Sequence, residues 1–201
     1  MTEQEWLTSD DLEAMLHFIR GPASLEHPLW GQRPSTDRKL RWFACAVYRS
    51  VRPHRSYVEE RVACWERGQE KPASYLPLWF DSIKAGDWAI SWGDCAALLR
   101  DIFGNVFRQE RWRWTKPRGG DPGNVVHCMD SRLRQWLRWH DGLVRKIAQT
   151  IYDERRFEDM PVLADALEEA GCKNEEMLNH CRGEGLHVRG CWVVDLLLGK
   201  E

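Results

Sequence analysis

Apolar residues recur along this chain at intervals of three and four, and this spacing restricts its fold more than any other feature. Leu12, Met15, Leu16 and Ile19 form one such stripe, and another begins at Leu40. This period places side chains on one face of an α-helix, whereas a half-buried strand needs alternation, which no segment sustains. The sequence therefore predicts an all-α protein.

Residues that cap or stop helices divide the chain into segments. The predicted helices begin after Ser9, at Ser35 or Thr36, at Ser56, at Leu76, at Trp92, at Arg132, after Asp159, after Asn174 and at about Gly190. The pair Asp141-Gly142 interrupts the stripe that begins at Leu133, and it favours two helices there over one long helix.

Length and composition favour one domain. A chain of 201 residues that is 43% apolar can bury a single core. Its twelve tryptophans favour core packing, because each indole can bury about 150 to 250 Å². We expect a single multi-helical globular domain over residues 1–201 with loop insertions at 21–36 and 104–130, the second long and rich in Trp and Arg.

Cysteine usage and hydropathy bear on the compartment. Seven cysteines at irregular spacing, with no basic leader before them, indicate a reduced, cytoplasmic protein. The apolar runs at 192–194 and 196–198 are far shorter than the ~20 residues that span a bilayer. We therefore expect no membrane segment.

The formal net charge of −2 conceals an uneven distribution of charge. Residues 108–156 hold twelve Lys and Arg against six Asp and Glu, whereas residues 157–201 hold four against ten. The simplest interpretation is that the basic middle and the acidic carboxy-terminal section pack against one another.

A basic, aromatic run in the second loop is the main candidate binding site. Its candidate residues are Arg108, Arg111, Trp112, Arg113, Trp114 and Arg118. Alternating Trp and Arg suit a protein partner, since both are enriched in interface hot spots, and equally suit stacking on unpaired bases. The structural alternative is that the tryptophans are core and the arginines neutralise the acidic section. On either binding interpretation, Arg132, Arg134 and Arg138 could widen the patch.

Asp195 lies in a segment that is apolar on every side, so a helix there would be buried all round. A buried carboxylate must be paired or protonated. The predicted partners are His187, Arg189 or an arginine of the second predicted helix, such as Arg38 or Arg41. On the structural interpretation, Asp195, Arg189 and His187 form a buried polar group. The functional alternative is an acid or base in a cleft, which requires them to converge on an accessible pocket.

Cys172, Cys181, His187 and Cys191 have the gaps of a CCCH zinc finger, with the last two ligand types exchanged. Four such ligands would close a structural zinc site. The first two belong to segments that already read as normally capped helices, and free Cys is a common buried residue. Buried core cysteines without a metal are therefore the favoured interpretation, and zinc is the alternative.

No catalytic motif is visible. The chain has no phosphate loop, strand-borne glycine fingerprint, nucleophile elbow or paired-histidine metalloprotease helix. We therefore assign no catalytic residue and expect no cofactor.

Several phrases resemble a known family. They lie at residues 5–7 (EWL), 37–46 (DRKLRWFACA), 151–155 (IYDER), 160–167 (MPVLADAL) and 187–199 (HVRGCWVVDLLLG). They are similar to small uncharacterised proteins of planctomycete bacteria, over about two thirds of the chain. The resemblance implies an intact family member, and it supplies no activity, cofactor or catalytic residue.

The sequence as a whole favours a non-enzymatic protein-interaction or regulatory module. The first alternative is a binder of single-stranded nucleic acid through residues 107–118, which the pI of about 6.4 disfavours. The second is an unrecognised enzyme built around Asp195, His187 and Arg189.

Overall fold

The computed structural model describes residues 1–20, 34–49, 55–69, 76–86, 89–107 and 131–200. Every regular element in these segments is a helix, which confirms the all-α class. None of the described helices combines the length and the apolar character needed to cross a bilayer. Contacts divide the chain into two compact units. Unit 1 is Met1–Asn105 with Leu186–Gly190, and unit 2 is Val106–Gly185 with Cys191–Glu201. The expectation of one domain with two loop insertions stays a prediction.

Unit 1 contains six described helices. They are α1 (Glu3–Thr8), α2 (Leu12–Arg20), α3 (Pro34–Arg49), α4 (Arg55–Glu66), α5 (Leu76–Lys84) and α6 (Trp92–Phe103). Helix α3 packs against α4 and α6, and α2 packs against α6. The predicted stripe of α2 is buried, as expected when one face of an amphipathic helix faces a core.

Helix α1 was not predicted, because six residues are too few to show a period. It begins with a capping box, in which the Thr2 hydroxyl accepts a hydrogen bond from the Glu5 amide and the Glu5 carboxylate accepts one from the Thr2 amide. The backbone N–H of Thr2 lowers the pKa of the Glu5 carboxyl. The indole of the buried Trp6 donates to the carbonyl of Gly104, 2.9 Å away, which ties α1 to the end of α6.

The guanidinium of Arg100 on α6 strengthens that tie. It donates to the backbone carbonyls of Trp6 and Ser9. Burial lowers the pKa of Arg100. One partly buried cation therefore holds the chain between α1 and α2 against α6.

The amino terminus of α6 is closed by a second capping box. The Asp94 amide donates to the Ser91 hydroxyl at 3.0 Å, and the Asp94 carboxylate accepts from the Ser91 amide at 3.1 Å. Replacing Ser91 with alanine is therefore expected to lower the free energy of unfolding by about 1 kcal/mol, the usual cost of losing a cap. Urea unfolding followed by circular dichroism would measure this loss. An unchanged midpoint would show that the cap contributes nothing.

The segment 186–190 completes unit 1 by packing on Trp42 of α3. The Arg189 guanidinium lies 5.9 Å from the Trp42 ring and forms an ion pair with Glu66 at 3.6 Å. At Gly190, with φ +98, a Cβ would lie 2.9 Å from the Cβ of Trp42. This position therefore requires glycine for both its backbone angle and its packing.

Unit 2 contains five described helices. They are α7 (Ser131–Arg138), α8 (Leu143–Glu154), α9 (Met160–Glu169), α10 (Glu175–Arg182) and α11 (Trp192–Leu198). Helix α8 packs against α7, α9 and α11, and α9 packs against α10. The predicted break between α7 and α8 is confirmed, as is the Asn174 cap of α10. The last helix begins at Trp192 instead of Gly190, because Gly190 has a positive φ.

Candidate functional site

The turn between α7 and α8 has an uncommon backbone. His140, Asp141 and Gly142 have φ values of 44°, 54° and 81°. Three consecutive residues in the left-handed region are rare, and each non-glycine residue there costs roughly 1 to 2 kcal/mol. Asp and His tolerate this region better than most residues do. The residue types at 140–142 reduce this backbone cost but do not abolish it. The turn connects the end of α7 to the beginning of α8.

An open cleft of about 530 Å³ lies at this turn. Its lining residues are Leu137, Arg138, Asp141, Gly142, Arg145, Lys146 and Gln149. Beside the cleft, the first residue of α8, Leu143, is 37% exposed. The lining combines three cations and the carboxylate of Asp141 with the apolar side chain of Leu137.

The three cations of this basic cleft, Arg138, Arg145 and Lys146, are exposed. Within the described part of the chain, none of them forms an ion pair. Residues 131–149 hold five Lys and Arg and one acidic residue, so the surrounding surface is basic as well. The cleft therefore carries positive charge that the described carboxylates do not neutralise.

Two of these cations are placed against the helix dipole. Arg145 and Lys146 lie in the first turn of α8, which contains no acidic residue. A cation near the positive end of a helix is unfavourable, by about the 0.3 to 1 kcal/mol that an anion gains there. An anion bound here would interact favourably with both cations and with the helix terminus.

Three carboxylates of the acidic section are paired with arginines other than Arg138 and Arg145. Arg182 binds Asp165 and Glu168 at 2.8 and 2.5 Å, and Arg156 binds Asp159 at 2.7 Å. Hydrogen bonds from Arg182 to these two carboxylates raise the pKa of its guanidinium. The expected neutralisation of the basic middle by the acidic section therefore does not extend to Arg138, Arg145 and Lys146.

The loop predicted as a binding site lies outside the described residues. This applies to Arg108, Arg111, Trp112, Arg113, Trp114 and Arg118. Their role stays a prediction. The sequence analysis includes Arg138 among the residues that could widen the basic patch of this loop. It does not identify Arg145 and Lys146. The signal that could have found them is the pair of cations directly after a predicted helix start.

Of the three polar residues predicted to form a buried group, His187 and Arg189 belong to unit 1 and Asp195 belongs to unit 2. Within unit 1, the Nδ1 of His187 lies 2.6 Å from the carboxylate of Asp101 on α6, which also accepts from the Val188 amide at 3.1 Å. Arg189, also in unit 1, pairs with Glu66. Asp195 in unit 2 has no exposed surface. Asp101 and Glu66 were not predicted as partners, because they lie far away in the sequence.

Three of the four predicted zinc ligands belong to unit 2. In unit 2, Cys172, Cys181 and Cys191 belong to the buried core, and burial raises the pKa of the Cys172 thiol. The Cys191 sulfur lies 3.2 Å from the Nε2 of His180, a residue that was not predicted as a ligand.

No family model, no curated protein and no solved structure matches the chain.

Proposed function

We propose that the chain is a non-enzymatic, cytoplasmic protein-interaction module, of the planctomycete type that it resembles, and that unit 2 binds an acidic segment of a protein partner. The observation that carries the proposal is the basic cleft between α7 and α8. Its three cations form no ion pair within the described residues, and two of them lie where the helix dipole disfavours them. A negatively charged ligand would pair with these cations and would offset their unfavourable interaction with the helix dipole.

The chemistry of the lining favours an acidic peptide over a nucleic acid. Single-stranded nucleic acids are bound by aromatic side chains on which the bases stack. The described lining of the cleft contains no aromatic residue on which a base could stack. Leu137 and the exposed Leu143 can instead contact an apolar side chain between the acidic residues of a peptide.

The binding of a labelled peptide tests this proposal. The probe is a twelve-residue peptide of Glu and Leu, and its fluorescence anisotropy is measured against increasing protein concentration at low ionic strength. We expect the triple variant Arg138→Ala/Arg145→Ala/Lys146→Ala to weaken binding by about threefold to a hundredfold, since three exposed ion pairs together contribute about 0.6 to 3 kcal/mol and tenfold corresponds to about 1.4 kcal/mol. Added salt is expected to weaken binding to the unmodified protein.

Matched controls separate the cleft from net charge. Lys146→Ala is compared with Lys173→Ala, which removes the same charge from an exposed position outside the cleft. Only the first should reduce affinity. Equal losses, or no peptide binding at all, would overturn the proposal. An oligothymidine of twelve nucleotides that binds more tightly than the peptide would replace it with the nucleic-acid alternative.

A further inference from the structure

Helix α9 presents an exposed acidic face. Its buried residues, Met160, Leu163, Ala164, Ala166 and Leu167, pack in the unit 2 core. On the outside, Val162, Asp165 and Glu169 have the spacing of one helical face, and Glu158 precedes it. Val162 is 55% exposed, and Asp165 follows it three residues later in the same helix. We refer to Glu158, Val162, Asp165 and Glu169 as the α9 face.

Part of this face carries negative charge that the described residues do not neutralise. Asp165 is paired with Arg182, whereas Glu158 and Glu169 are exposed and form no ion pair within the described part of the chain. The α9 face therefore has an apolar side chain flanked by available carboxylates.

The α9 face and the basic cleft are complementary. The cleft is lined by Leu137 and three cations, and the exposed Leu143 directly follows the lining residue Gly142. The α9 face has the exposed Val162 together with Glu158 and Glu169. Each surface thus combines apolar side chains with charges, and the charges are of opposite sign. Within unit 2 the three cations of the cleft form no ion pair with these carboxylates.

We propose that the acidic segment bound by the basic cleft is the α9 face of a second copy of this chain. This inference rests on the proposed function and names its partner. In this mode of binding, helix α9 of one copy lies along the basic cleft of the other copy, and Val162 packs next to Leu143 as the apolar anchor. Complementary charges at the rim set the orientation and make the association dependent on salt.

Sedimentation velocity over a range of protein concentrations tests the inference. We expect self-association at low ionic strength that weakens as salt is added. The variants Arg145→Glu/Lys146→Glu and Glu158→Lys/Glu169→Lys should each remain monomeric, because like charges then face one another. An equimolar mixture of the two variants should associate again, since the reversed charges match.

The control variant is Glu60→Lys, which reverses one exposed charge on α4 and should associate like the unmodified protein. Circular dichroism of all variants confirms that they are folded, as expected for exposed substitutions. The inference is overturned if the unmodified protein is monomeric at every concentration and ionic strength, or if the mixture of variants does not associate. Peptide binding without self-association would leave the proposed function in place and remove this inference alone, whereas loss of both would remove the two together.

Discussion

Replacing Gly190 with alanine is expected to destabilise the protein by about 2 to 5 kcal/mol. The backbone angle of Gly190, with φ +98, costs a residue with a side chain roughly 1 to 2 kcal/mol. In addition, the new Cβ would lie 2.9 Å from the Cβ of Trp42 and 3.2 Å from two atoms of its ring. Overpacking of this kind typically costs about 1 to 3 kcal/mol. Urea denaturation followed by tryptophan fluorescence would measure the change in the free energy of unfolding.

The matched control for this substitution is Gly86→Ala. Gly86 also has a positive φ, of 79°, but a Cβ there would have no atom within 4 Å. This variant should therefore lose only the backbone contribution. The difference between the two variants isolates the contact with Trp42, and equal effects would show that this contact does not restrict residue 190.

Replacing Asp101 with alanine is expected to cost about 2 to 5 kcal/mol, because it removes the hydrogen-bond partner of the His187 ring and of the Val188 amide, and each buried group left without a partner costs about 1 to 3 kcal/mol. The side chains of Asp101 and His187 are 4% and 7% exposed, so water cannot easily replace the lost carboxylate. The Val188 amide loses its acceptor at the same time. The expected result is a lower urea midpoint with an unchanged slope.

A double-mutant cycle distinguishes the contribution of the Asp101–His187 contact to stability from the effect of removing a carboxylate alone. In a double-mutant cycle with Asp101→Ala and His187→Ala, the combined loss should be smaller than the sum of the two losses, since both variants break one contact. Glu60→Gln serves as the control for an exposed carboxylate, and it should change stability by less than about 0.5 kcal/mol. Additive effects of the two buried substitutions would contradict a direct contribution of the pair.

Most helix positions could be predicted from the sequence, because helix caps and periodicity depend on a few adjacent residues. The Asp141-Gly142 break, the Asn174 cap and the end of α9 near Gly171 are examples, and each follows from a few adjacent residues. Helix α1 was missed although Thr2 and Glu5 have the spacing of a capping box, which is the signal that could have revealed it.

The candidate site could not be predicted in the same way, because it depends on the backbone angles of one turn and on distances between residues that this turn brings together. The sequence predicts a break at Asp141-Gly142, but it does not show that His140 also adopts a left-handed conformation. The proximity of Arg138 to Arg145 and Lys146 follows from that turn. Likewise, the partner that the structure gives His187 is Asp101, which is separated from it by 86 positions and shares no local pattern with it.

The discontinuity of unit 1 has a consequence for protein synthesis. Its residues Leu186–Gly190 emerge from the ribosome only after the intervening stretch of the chain has been translated. At about 5 to 20 residues per second, roughly 80 residues require about 4 to 16 seconds. During that interval Asp101 and Trp42 lack their later neighbours His187 and Gly190. Asp101 and Trp42 therefore wait for seconds during synthesis before residues 186–190 can cover them.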